Sequence, residues 1–355
     1  MNTLIDLFLA LVAIDSPSGE EDRIALFVEQ HLLSLGFVTT YDEAGNLYAS
    51  LPGEGEPILF NAHLDTVALA VGAKPIIVDG IIASDGTTAL GADDKAAIAA
   101  ILWALSTIKD EAIAHPPLLL LFTVSEEEGL VGSSQLDRSL LGDVRYGYTL
   151  DVTGRVGGVV TRAAYHDMIE AHFDGRAAHA GFEPEKGASA IMMGARAIDR
   201  MKLLRIDEET TANVGSFIAE GAKNIVSESA HLVFEARSLE EAKLNAQSDD
   251  MKRLLEEAAS HYGGAVSITH TRLYDGYHHR HSAHLDRFEM ACSTLGLTMY
   301  TKTTLGGSDA NVLNALGIPT LAITSGYSGA HSVSEAIAVE ELERLARLTL
   351  HLMSL

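Results

Sequence analysis

Five apolar, strand-like runs in this chain each close on a carboxylate or a histidine. His63-Leu64-Asp65 follows "PILFNA", Asp93-Asp94-Lys95 follows "TTALGA", and Glu126-Glu127-Glu128 follows "PPLLLLFTVS". Asp151 follows "YGYTL", and His331 follows "PTLAITSGYSGA". One such residue beyond a strand means little, whereas the recurrence is best explained by a metal site. In open α/β sheets the C-terminal ends of the strands line one crevice, so residues placed there converge in space. Two histidines with several carboxylates and no thiolate suit Zn²⁺ or Mn²⁺. Five ligands are too many for one catalytic ion with an open position. Two ions about 3.5–4 Å apart, sharing a bridging carboxylate, fit better.

The order of elements points to an α/β chain with an interruption. Residues 3–14 and 20–35 read as helices, followed by a strand pair over 37–52, a strand over 57–62, a hairpin at Asp79-Gly80 and a helix over 94–108. The continuous apolar run 117–124 reads as a buried parallel strand, and 145–150 as another. After about residue 164 the style changes. "YHDMIEAHFDG" alternates like a strand with one wet face, and the segments that follow give the order β-α-β-β-α-β of a ferredoxin-like unit. Beyond 280 helices and strands alternate again, ending in a helix over 338–353. The expected division is a catalytic domain over 1–164 and 274–355, with an inserted domain over 165–273.

With 355 residues, 47% of them hydrophobic, the chain can bury a large core. Its net charge of −24 repels nucleic acid and anionic lipid. Cys292 is the only cysteine, so no intrachain disulfide forms, which is compatible with a cytoplasmic protein. The N-terminal apolar stretch is interrupted by Asp6 and reads as an amphipathic helix rather than a signal peptide. No run approaches the ~18 apolar residues of a membrane span.

Each motif also has a plain reading. His63 and Asp65 share one side of an extended segment, so His63 can bind metal while Asp65 accepts its other ring N–H; alone, they would pass as an ordinary strand-end pair. One Asp at the start of a helix is a cap, but two adjacent ones exceed that need. Asp93 is therefore the expected bridge, and Asp94 either the cap or a group that supports the ligands from outside. Three adjacent glutamates beyond a buried strand are costly unless cations neutralise them. One binds metal; its neighbour takes a proton from the activated water and passes it to the leaving amine. Glu128 reads as solvated. The cluster "YDGYHHRHSAH" (274–284) matches no ligand spacing and reads as a polar hinge, and Met192 and Met193 read as core. His-Glu-x-x-His, Gly-x-Ser-x-Gly, Walker A and Gly-x-Gly-x-x-Gly motifs are absent, which removes the main support for the corresponding enzyme classes.

"SPSGEE", "NAHLDTV", "LGADDKAA", "FTVSEEEGL", "GRAAHAG", "FEARS", "GGSDAN" and "GAHSVSE" occur in that order, and with them the whole chain resembles the dinuclear zinc exopeptidases, which include the carboxypeptidase G and aminoacylase types. "GTTALGADDK" places it closest to the peptidase T-like branch. The resemblance implies a mixed sheet flanked by helices with an inserted ferredoxin-like lid and dimerisation domain. It implies His63, Asp93, Glu127, Asp151 and His331 as ligands of two divalent ions, zinc first, with manganese or cobalt as alternatives. Glu126 would be the general base and Asp65 the partner of His63. His179 would be a lid histidine that stabilises the oxyanion in the other subunit of a homodimer. Arg237 would bind a substrate carboxylate, with Asn213 and Gly307 as further substrate contacts. A cis peptide between Asp93 and Asp94 is implied as well. Two departures stand out: Ala97 occupies a position where the family often has glycine, and Ser125 occupies the first acidic place of the glutamate segment.

The expected activity is hydrolysis of short peptides by an exopeptidase of tripeptidase or aminopeptidase type. A deacylase or carboxypeptidase for N-acyl amino acids uses the same chemistry, and Arg237 serves either substrate. A metal-bearing binding protein without turnover is the reading from another class; Glu126 beside Glu127 argues against it.

Overall fold

The computed structural model describes residues 3–354. The chain forms two compact units, one of residues 162–277 and 304–307, the other of residues 1–161, 278–303 and 308–355.

The larger unit is built on a mixed sheet. Its four central strands are Leu118–Thr123, Ile58–His63, Tyr146–Val152 and Thr320–Thr324, adjacent in that order and parallel. Leu47–Leu51 joins antiparallel to Leu118–Thr123, and Val38–Tyr41 continues the sheet beyond it. On the far side, Thr320–Thr324 pairs antiparallel with Gly158–Ala163, a strand that the sequence pattern does not announce. The central strands are apolar on both faces because both faces are covered. Ile58–His63, Leu118–Thr123 and Thr320–Thr324 are buried along their whole length.

One face is covered by the helix Ala92–Asp110, buried from Ala92 to Leu102. Its "AAIAA" run lets the backbone approach the sheet closely, and the helices Leu4–Val12 and Val339–Met353 pack over it. Leu4, Phe8, Ile98, Ile101, Phe60, Leu120, Leu321 and Leu345 belong to one continuous core. A separate four-stranded sheet joins Pro75–Val78 and Ile81–Ser84, the expected hairpin at Asp79-Gly80, to Ala336–Ala338 and Tyr327–Ser328. Among the described residues, no helix is long and apolar enough to cross a membrane.

The smaller unit has the expected β-α-β-β-α-β order: Tyr165–Asp174, Ala190–Arg200, Thr210–Ile218, Ser229–Ser238, Glu241–Tyr262 and Ala265–Tyr274. All neighbouring strands in its sheet are antiparallel, with Tyr165–Asp174 between Ser229–Ser238 and Ala265–Tyr274. Ser229–Ser238 alternates buried and half-buried positions, the period of a sheet with one covered face. Ile169, Phe173, Met193, Leu232, Phe234, Met251 and Leu255 form its core. Met193 is buried as expected. Met192 is 49% exposed, because the helix turns its neighbouring positions by about 100° and only one of the two methionines can face the sheet.

Candidate metal centre

The four parallel strands end on one side of their sheet, and the chemistry stands at those ends. His63 is the last residue of Ile58–His63, Asp151 the last but one of Tyr146–Val152, and Glu126-Glu127 follow Leu118–Thr123. His331 lies in the loop that leaves Tyr327–Ser328. Asp93 lies at the start of the helix Ala92–Asp110, where Asp93 and Asp94 depart from helical dihedrals and the peptide between them is cis.

These side chains form two donor clusters that share Asp93: His63, Asp93 and Asp151 in one, and Asp93, Glu127 and His331 in the other. In each, the candidate ligand atoms lie within 4.8 Å of one another. Asp93 divides its oxygens between them. Oδ1 is 3.2 Å from His63 Nε2, and Oδ2 is 3.4 Å from His331 Nε2. His63 Nε2 is 3.8 Å from Asp151 Oδ1, and His331 Nε2 is 2.8 Å from Glu127 Oε1.

The donor set fits a pair of divalent cations. Glu127 Oε1 is buried and makes no hydrogen bond, although a ring nitrogen lies 2.8 Å away, so the two atoms are aimed past each other. Burial and neighbouring carboxylates push Asp94, Glu126 and Asp151 well above the ordinary carboxylate range, with His63 opposing. Burial acts upward on Asp93 too, but His331 and His63 together hold it below its usual value. A pocket this rich in negative charge relaxes when cations enter it.

The surrounding residues orient the candidate ligands. Asp65 does more than the sequence pattern suggests. His63 Nδ1 lies 2.9 Å from the Asp65 backbone oxygen and 3.3 Å from its carboxylate Oδ1. That same carboxylate accepts the Glu126 and Glu127 backbone N–H groups at 2.9 and 3.1 Å, and the Ser18 hydroxyl at 2.6 Å. Asp65 therefore joins the two strand ends. Asp94 does not cap the helix. Gly91 is the N-terminal flanking residue, and Asp94 Oδ2 accepts the His63 backbone N–H at 3.2 Å. The non-helical backbone at Asp93 and Asp94 turns this carboxylate away from the helix and toward the strand.

Glu335, Tyr327, Glu21 and Asp309 escape sequence reasoning. Glu335 is buried and accepts the N–H groups of Gly91 and Asp93 at 2.8 and 3.0 Å, which holds the backbone at Asp93. Glu21 accepts the Ser125 backbone N–H at 2.9 Å, where Ser125 has φ +50°. Asp309 Oδ2 accepts from Asn61 and Thr123, beneath the strand ends. Burial, with Asp93 and Asp151 nearby, keeps the Tyr327 phenol protonated. The three acids lie within "SPSGEE", "GGSDAN" and "GAHSVSE" and Tyr327 within "PTLAITSGYSGA", but a lone buried side chain has no spacing to betray it.

The remaining expected residues lie in the smaller unit. His179 is exposed; its Nδ1 accepts the Gly181 N–H at 3.1 Å, which leaves the proton on Nε2, and its ring packs 4.2 Å from Phe182. Arg237 is held by Glu235 at 2.8 Å, with the Tyr274 hydroxyl and the Leu305 carbonyl at 3.3 and 3.2 Å. Asn213 is exposed and stands opposite Glu235 in the strand register. Gly307 packs on Tyr274, where an added Cβ would meet the ring at 2.3 Å. Packing thus demands glycine there, independently of any substrate. The histidines of 274–284 form no candidate metal cluster among the described residues.

Metal uptake should release protons. The carboxylates of Asp93 and Glu127 beside its ring raise His331 to about 10 against the effect of burial, so the metal-free protein carries a proton there at neutral pH. A cation taking that ring nitrogen must displace it. Affinity should therefore rise with pH below that value, by about tenfold per unit for each proton released. Titration calorimetry in buffers of different ionisation enthalpy counts the protons; none released would remove His331 from the ligand set.

Residues 59–355 match the family described as Peptidase family M20/M25/M40. An uncharacterised protein of Bacillus subtilis (strain 168), YqjE, is 39% identical, with 97% of this chain and 96% of that protein covered. The crystal structure of aminopeptidase PepT from Bacillus cereus ATCC 10987 superposes with a TM-score of 0.89 at 38% identity, covering 99% of this chain and 97% of that one. A tripeptidase from Staphylococcus aureus superposes with a TM-score of 0.93 at 37% identity, covering 99% and 96%.

Proposed function

This chain belongs to the peptidase family M20/M25/M40, and from that premise we propose that it is a metal-dependent exopeptidase that releases a terminal residue from short peptides, tripeptides first. The observation that carries the reading is Asp93, whose two oxygens face two separate donor clusters, with Glu126 next to the Glu127 of one cluster.

His63, Asp93 and Asp151 would hold one divalent cation, and Asp93, Glu127 and His331 the other. Such cations polarise a carbonyl and bring the pKa of water toward neutrality. Nitrogen and oxygen donors without thiolate favour zinc, with manganese or cobalt as alternatives. Glu126 would take the proton of the attacking water on its carboxylate and deliver it to the leaving amine. Asp65 holds the Glu126 backbone and so the base in place. His179, with its proton on Nε2, is a donor suited to a developing oxyanion. Arg237 would meet the substrate carboxylate, with Asn213 and Gly307 nearby in the substrate's path. The smaller unit would act as lid and dimerisation domain of a homodimer. A single buried Cys292, unpaired, fits the cytoplasm.

A panel of tripeptides, dipeptides and N-acetyl amino acids, run with Zn²⁺, Mn²⁺ and Co²⁺, tests the reading. Tripeptides should be cleaved with the highest kcat/KM. Preference for N-acetyl amino acids would replace it with the deacylase reading. Binding of peptides by the metal-loaded protein without cleavage of any substrate would remove both.

A further inference from the structure

Tyr327 is no part of either donor cluster, yet its hydroxyl meets members of one of them. It lies on the short strand Tyr327–Ser328 and is 1% exposed. Its oxygen is 3.0 Å from Asp93 Oδ1 and 3.2 Å from Asp151 Oδ1. Those are the two oxygens that face His63 Nε2, at 3.2 and 3.8 Å. Asp93 Oδ2, which faces His331, is not one of its partners.

We propose that Tyr327 is the positioning residue for one cation of the pair, the one held by His63, Asp93 and Asp151. Its hydroxyl sets the spacing of the two carboxylate oxygens and fixes which oxygen of Asp93 each cluster receives. The inference rests on the two-cation reading above. Three facts carry it. A phenol has one proton to donate, and both of its acceptors here are ligand oxygens of the same cluster. The ring cannot wander: it is buried, its residue pairs with Ile337, and its carbonyl accepts the Gly154 N–H at 3.0 Å. Packing alone does not ask for a hydroxyl, since phenylalanine would fill the same volume without burying a polar atom.

Outer partners of this kind are worth about 10–100-fold in metal affinity. The test is Tyr327→Phe in the full chain, stripped of metal, reloaded with Zn²⁺, counted by mass spectrometry and titrated against a chelator. Wild type should bind two ions. The variant should keep one at wild-type affinity and bind the other about 10–100-fold more weakly. Its kcat should fall in step with that occupancy and recover with excess Zn²⁺, while KM changes little. Melting of the metal-free variant should match wild type. Tyr327→Leu is a second hydroxyl-free variant should phenylalanine fail to fold, with the same loss of one ion expected. Two ions at wild-type affinity in a folded variant would overturn the assignment, as would a tyrosinate band on metal addition, which would make Tyr327 a ligand. Fewer than two ions in wild type would count against the two-cation reading instead.

Discussion

Replacing Glu126 with glutamine is expected to lower kcat by about 10²–10⁴-fold and to leave metal content at the wild-type level. Glutamine keeps the shape and loses only the basic oxygen. The loop should not move, because its anchor is the Glu126 backbone N–H donated to Asp65, which the substitution preserves. The size of the effect follows from the surroundings. Burial pushes this carboxyl well above its usual value, and Asp309, Glu127 and Asp93 add to that against the pull of His63. A carboxylate whose proton affinity is raised is a stronger base than a solvated one, so removing it costs more. The measurements are steady-state kinetics and metal analysis on one preparation. Wild-type turnover would mean that another group is the base. Loss of an ion would make Glu126 a ligand.

His179→Ala should lower kcat by about 10²–10³-fold, the usual worth of one oxyanion donor, again without loss of metal. The Gly181 N–H already occupies Nδ1, so Nε2 carries the proton and is turned out as a donor. If that donor serves the partner's site, mixing His179→Ala with Glu126→Gln should restore activity that neither has alone. Half of randomly exchanged dimers are mixed, and each holds one site with both residues intact, so recovery should approach about a quarter of wild type. Subunit exchange is checked with differently tagged chains. Exchange without recovery would confine His179 to its own chain, where it would close the turn that ends at Phe182.

Much of the candidate site was legible because its donor residues follow apolar runs. A strand such as "LLLLFT" declares itself by composition, and whatever follows it must emerge at a sheet edge. What the pattern cannot carry is the choice between neighbours. Asp93 and Asp94 are chemically identical in the sequence. Of the two roles expected of Asp94, the cap fails because the backbone there is not helical, whereas the supporting contact to the His63 backbone is present. Asp65 was readable as a partner of His63 by its spacing, but its grip on Glu126 and Glu127 comes from a different strand.

By itself, the sequence determined the sheet-and-helix alternation, the ferredoxin-like order of the smaller unit and the donor types at the strand ends, because periodicity and apolar runs are local properties. Only the tertiary structure decided how those donors divide. The parallel register of Ile58–His63 with Leu118–Thr123 aligns His63 with Thr123 and so brings the glutamates beside the histidine. The pairing of Ala336–Ala338 with Ile81–Ser84 fixes the chain segment next to Glu335, whose carboxylate holds Gly91 and Asp93. Tyr327 meets Asp93 and Asp151, 234 and 176 positions away, by the same route. Contacts between distant segments depend on register and on the direction of chain reversal, and neither leaves a periodic trace in the residues that make them.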